Sequence, residues 1–248
     1  MSKLSYISPD GLRVDGRRSN EIRRLNIKMG VSNRADGSAY YEQGNTKILV
    51  TVYGPRESVN SKSLYDRAVV KCEFSMSSFS TTERKQRQKG TDRQATEIQN
   101  LIKQAFESTV HVQLYPRSQI DIFVQVLQSD GGLKSASINA CTLALIDAGI
   151  SMKDFVCACN TSCIDGIPVL DLNNIEERSG GPDLLLSINP QLGGVISLNM
   201  DSKVQQDLFE SVLDLGVKGC QKIFTILSDQ VKRYSTELMS NQQQLQQS

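Results

Sequence analysis

Five cations crowd one short polar stretch, Arg84, Lys85, Arg87, Lys89 and Arg93, diluted only by Glu83 and Asp92. Such a stretch can hold a phosphate backbone, and its plain alternative is a solvated loop. Lys62 and Arg67, just upstream, extend the same patch. A second group is the turn Asp130-Gly131-Gly132-Leu133-Lys134-Ser135. Glycines admit close backbone approach, and a helix starting at Ser135 offers free amides and its positive end to an anion, with Lys134 adding a point charge. Read plainly, it is a Gly-Gly turn with Ser135 as N-cap. The third group is the carboxylate run Asp171, Glu176, Glu177 and Asp183. Carboxylates at a strand end hold Mg²⁺ or serve as a general acid, or simply face water. The fourth is Cys157, Cys159 and Cys163, which lacks the C-x-x-C spacing of a zinc ribbon and reads as buried thiols. With His111 as the one histidine, multi-histidine metal sites and a Ser/His/Asp triad find little support. No metal and no cofactor are expected.

The elements that must position these groups follow from periodicity. Residues 39–41 and 47–53 flank Gly44-Asn45 as a hairpin, and 68–76 and 120–127 read as further strands. Ile98, Leu101, Ile102, Ala105 and Phe106 recur at the spacing of one buried helix face. Residues 135–148 form a second helix, stopped by Gly149. Residues 155–159 and 168–172 pair around Asp165-Gly166, and 184–188 and 195–198 are two more strands. Ser202 with Gln205 has capping-box spacing and starts a long C-terminal helix through Leu238. A charged arm, 1–18, precedes the fold and a polar tail, 241–248, follows it. One α+β domain over 1–240 is the expectation.

Composition bounds the function. The chain has 248 residues, 28 Lys+Arg against 27 Asp+Glu, a net charge of +1 and 39% apolar residues. Nucleic-acid contact must therefore come from a local patch rather than an overall basic coat. The first dozen residues lack an apolar signal-like run, no window reads as membrane-spanning, and the six cysteines read as reduced thiols. No membrane partner is expected.

In this order, the pieces resemble the ribonuclease PH family, and more closely the RNase PH-like ring subunits of the RNA exosome. The resemblance rests on residues 11–18 (GLRVDGRR), 44–47 (GNTK), 79–85 (FSTTERK), Glu97-Ile98, 115–121 (YPRSQID), Asp130-Gly131-Gly132, 143–149 (LALIDAG), Asp165-Gly166 and Asp171-Leu172. It implies the RNase PH fold, two βαβ-like halves in a single α+β domain with a long C-terminal helix. It also implies partners: other RNase PH-like exosome subunits in a six-membered ring, S1/KH cap proteins, single-stranded RNA and a separate catalytic nuclease. The complex implies nucleus, including nucleolus, and cytoplasm. Active members of this family cut RNA from the 3′ end with inorganic phosphate. They use an Arg-Arg pair before a helix, an arginine in the Asp-Gly-Gly turn, and two aspartates six residues apart.

Here the pattern is incomplete. The Arg-Arg pair falls on Arg93-Gln94, and the turn carries Lys134 before Ser135. Lysine keeps the charge but not the bidentate fork. The aspartate pair is read on Asp171 and Glu177, with Asp183 beyond. Gln94, Lys134 and Ser135 are then remnants of a phosphate site, and Asp171, Glu177 and Asp183 remnants of a catalytic one. The expected role is a non-catalytic ring subunit that guides RNA by Lys62, Arg67, Arg84, Lys85, Arg87, Lys89 and Arg93. The alternative is an active phosphate-dependent 3′–5′ exoribonuclease.

Overall fold

The computed structural model describes residues 6–9, 11–57, 66–82, 84 and 92–247. Lys62, Lys85, Arg87 and Lys89 lie outside the described residues. Strands β2 (Gly37–Gln43) and β3 (Thr46–Glu57) form the expected hairpin, with Gln43 opposite Thr46 and Gly44 at φ 59°. On β3, Thr46, Ile48, Val50 and Val52 are buried while the residues between them are half-buried, the period-two signature of a sheet with one covered face. Strand β1 (Leu25–Met29) adds an antiparallel edge. Strand β4 (Val69–Met76), helix α1 (Arg93–Thr109) and strand β5 (Ser118–Gln128) make a βαβ crossover in which β4 and β5 are parallel neighbours. The sheet order is β1-β2-β3-β5-β4. Ile98, Ile102, Ala105 and Phe106 form the buried face of α1 that their spacing predicts.

Helix α2 (Leu133–Asp147) is the centre of the molecule. Every residue from Ser135 to Leu145 is buried, because the helix packs on β2 and β3 with one side and on β6 with the other. Its polar residues are absorbed by backbone. Asn139 Nδ2 donates to Ala158 O (2.9 Å) and its Oδ1 accepts from Ala158 N–H (2.8 Å), so the side chain docks like a short strand. Thr142 Oγ1 donates to Val156 O (2.8 Å).

The second sheet, in the order β7-β6-β8-β9, is antiparallel throughout: β6 (Cys157–Ile164), β7 (Ile167–Leu170), β8 (Asp183–Asn189) and β9 (Gly194–Met200). The β6–β7 turn is at Asp165 (φ 49°) and Gly166 (φ 82°), both left-handed as a two-residue hairpin requires. Helix α4 (Gln206–Gln247) lies over β6, β7 and β8. A Cβ at Gly219 would stand 2.5 Å from Leu170 Cδ1, so glycine permits this approach. With α2 on one face and α4 on the other, all of β6 is buried, its cysteines included. Burial pushes the thiols up, Cys72 to about 12, with Cys141, Cys159 and Cys220 raised for the same reason. One apolar cluster runs from the first sheet through α2 to the second.

Several boundaries differ from expectation, among them the strand expected over 155–159, which runs Cys157–Ile164. Helix α4 begins at Gln206 rather than Ser202, and its early amide bond is Phe209 N–H to Gln205 O. The helix then continues through the polar segment to Gln247. A short helix, α3 (Asn174–Glu177), occupies part of the carboxylate run, closed by a capping box between Asn173 and Glu176. Among the described residues, no helix is long and apolar enough to cross a membrane.

Gly37 starts β2 directly under the end of α2, and a Cβ there would overlap Ala144 O and Ala148 N. Gly37→Ala is expected to lower stability by about 1–3 kcal/mol, read as a reduced urea midpoint with unchanged slope.

Candidate functional site

The parallel strands β4 and β5 end side by side, and the chain leaving β5 makes the turn Ser129–Gly132 before α2. Gly131 and Gly132 both have positive φ, 80° and 67°. A Cβ on Gly131 would lie 2.5 Å from Asn173 C, so the turn is pressed against the backbone that leads into α3. The helix begins at Leu133, not Ser135. Its N-cap is Gly132, and Ser135 is buried in the first turn, its Oγ donating to Gly132 O (3.0 Å).

A buried ion pair fixes this arrangement. Arg23 Nη2 donates to Asp171 Oδ1 (2.7 Å), Nε reaches Oδ2 (3.0 Å), and the Arg23 amide adds a bond to Oδ2 (2.8 Å). The same guanidinium donates to the carbonyls of Asp130 (2.6 Å) and Gly131 (3.2 Å). Two further arginines approach from the arm. Arg13 pairs with Glu176 through both carboxylate oxygens and bonds Leu170 O (2.6 Å), and Arg17 reaches Asp171 O (3.1 Å). Desolvation alone would raise the Asp171 pKa, but the Arg23 charge and hydrogen bonds hold it below the usual carboxylate value.

Asp171 is therefore not a pocket carboxylate. It is 1% exposed with both oxygens taken, so reading the carboxylate pair on Asp171 and Glu177 requires correction. The two that face the turn are Glu177 and Asp183, at the same sequence spacing. Glu177 Oε1 accepts from the Gly132 amide (2.7 Å), which puts a carboxylate on the N-terminus of α2. Glu177 as a whole residue is exposed, yet its carboxyl end is crowded. Desolvation pushes its pKa up against the pull of Gly132 N–H, Arg23 and Lys134. Asp183 stands at the start of β8, and its Oδ1 is buried with no hydrogen-bond partner among the described residues. Desolvation first, and then the Glu177 charge, raise it to about 7.

Lys134 is the one predicted phosphate-site cation that the structure places here, and it is already engaged. Its Nζ donates to Glu97 Oε1 (2.8 Å) and lies 3.6 Å from Asp201 Oδ2. Desolvation would lower its pKa, but Glu97, Asp201 and Asp183 together raise it. Arg93 and Gln94 lie one helical turn before Glu97 on α1, both exposed. The Gln94 amide donates to the N-cap Asp92 (3.1 Å). Arg84 and Arg67 are exposed on loops outside this cluster. One ammonium thus faces four carboxylates, Glu97, Glu177, Asp183 and Asp201. The partners Arg13, Arg17, Arg23, Glu97 and Asp201 were not foreseen. The Asn173–Glu176 capping spacing was a legible hint of α3, but nothing local marks an arginine whose partner lies far along the chain. A groove of about 700 Å³ over the open face of the first sheet, lined by Leu49, Lys71, Glu73 and Phe123, contains none of these groups.

The two-sheet α+β fold thus brings a Gly-Gly turn and an acidic strand end together at the N-terminus of α2. Residues 21–151 match the 3′ exoribonuclease family, domain 1, and residues 154–219 match its domain 2. The Exosome complex component RRP41 of Homo sapiens is 47% identical over 239 residues, covering 96% of this chain and 97% of that protein. The Arabidopsis thaliana RRP41 homolog is 49% identical over 222 residues, covering 89% and 91%. Rrp41 of Thermoplasma volcanium is 42% identical over 226 residues, covering 91% and 90%. Among solved structures, rice Rrp46 superposes with a TM-score of 0.79 at 24% identity, covering 88% of this chain and all (100%) of that one. The Archaeoglobus fulgidus exosome with RNA bound to the active site gives 0.75 at 20% identity, covering 87% and 92%. The chain belongs to the 3′ exoribonuclease family and has the RNase PH fold.

Two consequences are measurable. Breaking the buried pair by Asp171→Ala strands the Arg23 charge, and the expected cost is about 3–5 kcal/mol of unfolding free energy in urea titrations. For Asp183 the folded value, about 7, lies above the unfolded 3.8, so the native state binds more protons between them. Stability then falls as pH rises through that window. Asp183→Asn is expected to raise Tm at about pH 8 by roughly 2–4 °C, with the gain vanishing below about pH 4.

Proposed function

We propose that this chain is a non-catalytic ring subunit of an RNA exosome, of the type called exosome component 4 in animals. It would build a six-membered ring with other RNase PH-like subunits, dock S1/KH cap proteins, and pass single-stranded RNA toward a separate nuclease. In this reading it serves rRNA processing, mRNA decay and noncoding-RNA turnover in nucleus, nucleolus and cytoplasm. The high identity to RRP41 proteins over nearly the whole chain supports the assembly.

The observation that carries the non-catalytic reading is the charge around Lys134. Phosphorolysis needs cations to bring orthophosphate, itself an anion, against a polyanion. Here the turn lysine is bonded to Glu97 and approached by Asp201, Glu177 sits on the Gly132 amide, and Gln94 supplies no charge. An entering phosphate would have to displace Glu97 and Asp201 from Lys134 and meet the Glu177 carboxylate at the Gly132 amide. RNA holding is separable from that chemistry. Arg84 and Arg93 are exposed, and with Lys62, Arg67, Lys85, Arg87 and Lys89 they can follow a backbone without reading bases.

The test is 3′-end trimming of labelled RNA by the full chain, alone and in its complex, with and without orthophosphate. No phosphate-dependent release of nucleoside diphosphates is expected. Release that requires phosphate and disappears in Asp183→Asn would establish an active exoribonuclease instead. Asp171→Ala is unsuited to this assay, because it removes the Arg23 strut rather than a pocket group.

A further inference from the structure

The loop that leaves β4 carries a side chain that neither the fold nor the turn site uses. Phe79 is 72% exposed. Its loop is nevertheless held tightly: Ser77 N–H donates to Val126 O (3.0 Å), Ser80 N–H to Ser77 O (3.0 Å), and Ser129 N–H to Ser80 O (2.8 Å). Ser80 is 2% exposed, and neither its Oγ nor that of Ser77 has a hydrogen-bond partner among the described residues. A pinned turn with a phenyl ring directed to solvent keeps an apolar surface in water that a Phe elsewhere in the fold would bury.

The loop's place in the fold matters. It stands at the carboxyl end of β4, next to the carboxyl end of its parallel neighbour β5, where the Ser129–Gly132 turn begins. Crevices at the carboxyl ends of parallel strands are where open α/β sheets take ligands. The surroundings narrow the choice of partner. Phe79 is flanked in sequence by Ser77, Ser78, Ser80, Thr81 and Thr82, followed by exposed Arg84 and the cation-rich stretch to Arg93. A protein-binding hot spot surrounds its aromatic anchor with further apolar surface. Phe79 is the one exposed large hydrophobic among the described residues of its loop, and a ring flanked in sequence by hydroxyls and followed by cations matches the chemistry of a single-stranded nucleic acid, a π-face for a base and positive charge for the adjoining phosphates.

The geometry points to Phe79 as a stacking platform for one base of a single-stranded RNA that crosses the Ser129–Gly132 turn, with Arg84 on its backbone. This rests on the RNA-guiding reading and deepens it. The ring adds affinity without sequence preference, because every base offers a face to stack.

The experiment measures binding of labelled oligouridylate to the full chain in the complex it is isolated in. It compares wild type, Phe79→Ala, Phe79→Tyr and Phe79→Trp, and repeats the series with an oligomer of the same backbone lacking bases. Phe79→Ala is expected to lose roughly 5- to 150-fold in affinity, the range one base–aromatic stack supplies. Tyr and Trp variants are expected to retain binding, the abasic oligomer to show no difference among variants, and the salt dependence to stay unchanged. Phe79→Ala binding as tightly as wild type would overturn the stacking role while leaving RNA guiding intact. If that variant instead weakened assembly of the complex, Phe79 would be a protein contact. A wild-type complex that binds no oligouridylate would remove the RNA-guiding reading itself.

Discussion

The Arg23–Asp171 pair is the constraint on which the site depends. A guanidinium and a carboxylate, both nearly excluded from water, are tolerable only because every donor and acceptor finds a partner. Those partners come from distant parts of the chain: the segment before β1, the Asp130–Gly131 carbonyls and the residue after β7. Satisfying one buried charge therefore fixes the Gly-Gly turn against the backbone entering α3. Glu177 then reaches the Gly132 amide because α3 is already in place. Arg13 on Glu176 and Arg17 on Asp171 extend the clasp to the arm, so the arm belongs to the site's foundation. Replacing such a network with apolar groups need not cost stability, and its contribution is a single geometry.

That geometry gives the electrostatics their sign. Lys134 is engaged by Glu97 at 2.8 Å and approached by Asp201 at 3.6 Å, exposed partners worth about 0–1 kcal/mol each, so an incoming anion meets an ammonium whose charge is already opposed. Asp183, held protonated to about pH 7 by burial and by Glu177, reports the same crowding of negative charge. Outside the cluster the balance reverses, with Arg67, Arg84 and Arg93 all exposed. The proposed role uses this difference, with a polyanion held along the loops rather than at the turn.

Much of this was legible in sequence. The hairpin at Gly44-Asn45, the single buried face of α1 and the Asp165-Gly166 turn follow from local periodicity and turn chemistry, and the structure has them all. The Asp130–Gly132 turn and Lys134 were legible because glycine and lysine types announce their use. Sequence alone does not separate Asp171 from the pocket groups, because a carboxylate's role is set by its partner and Arg23 lies 148 positions away. Helix α2 shows no polar face, so its burial between two sheets could be seen only once both sheets existed. The short strand β1 and helix α3 carry too few residues for a periodic signal, and the start at Gln206 shows that capping spacing alone does not place a boundary.

The most direct measurement is a calorimetric titration of orthophosphate into the full chain, alone and in its complex, beside a Lys134→Met variant. With Lys134 held by Glu97 and Asp201, wild type and variant should both give only the heat of dilution. Saturable binding by the wild type that Lys134→Met abolishes would show the turn to be an open phosphate site and contradict the non-catalytic reading.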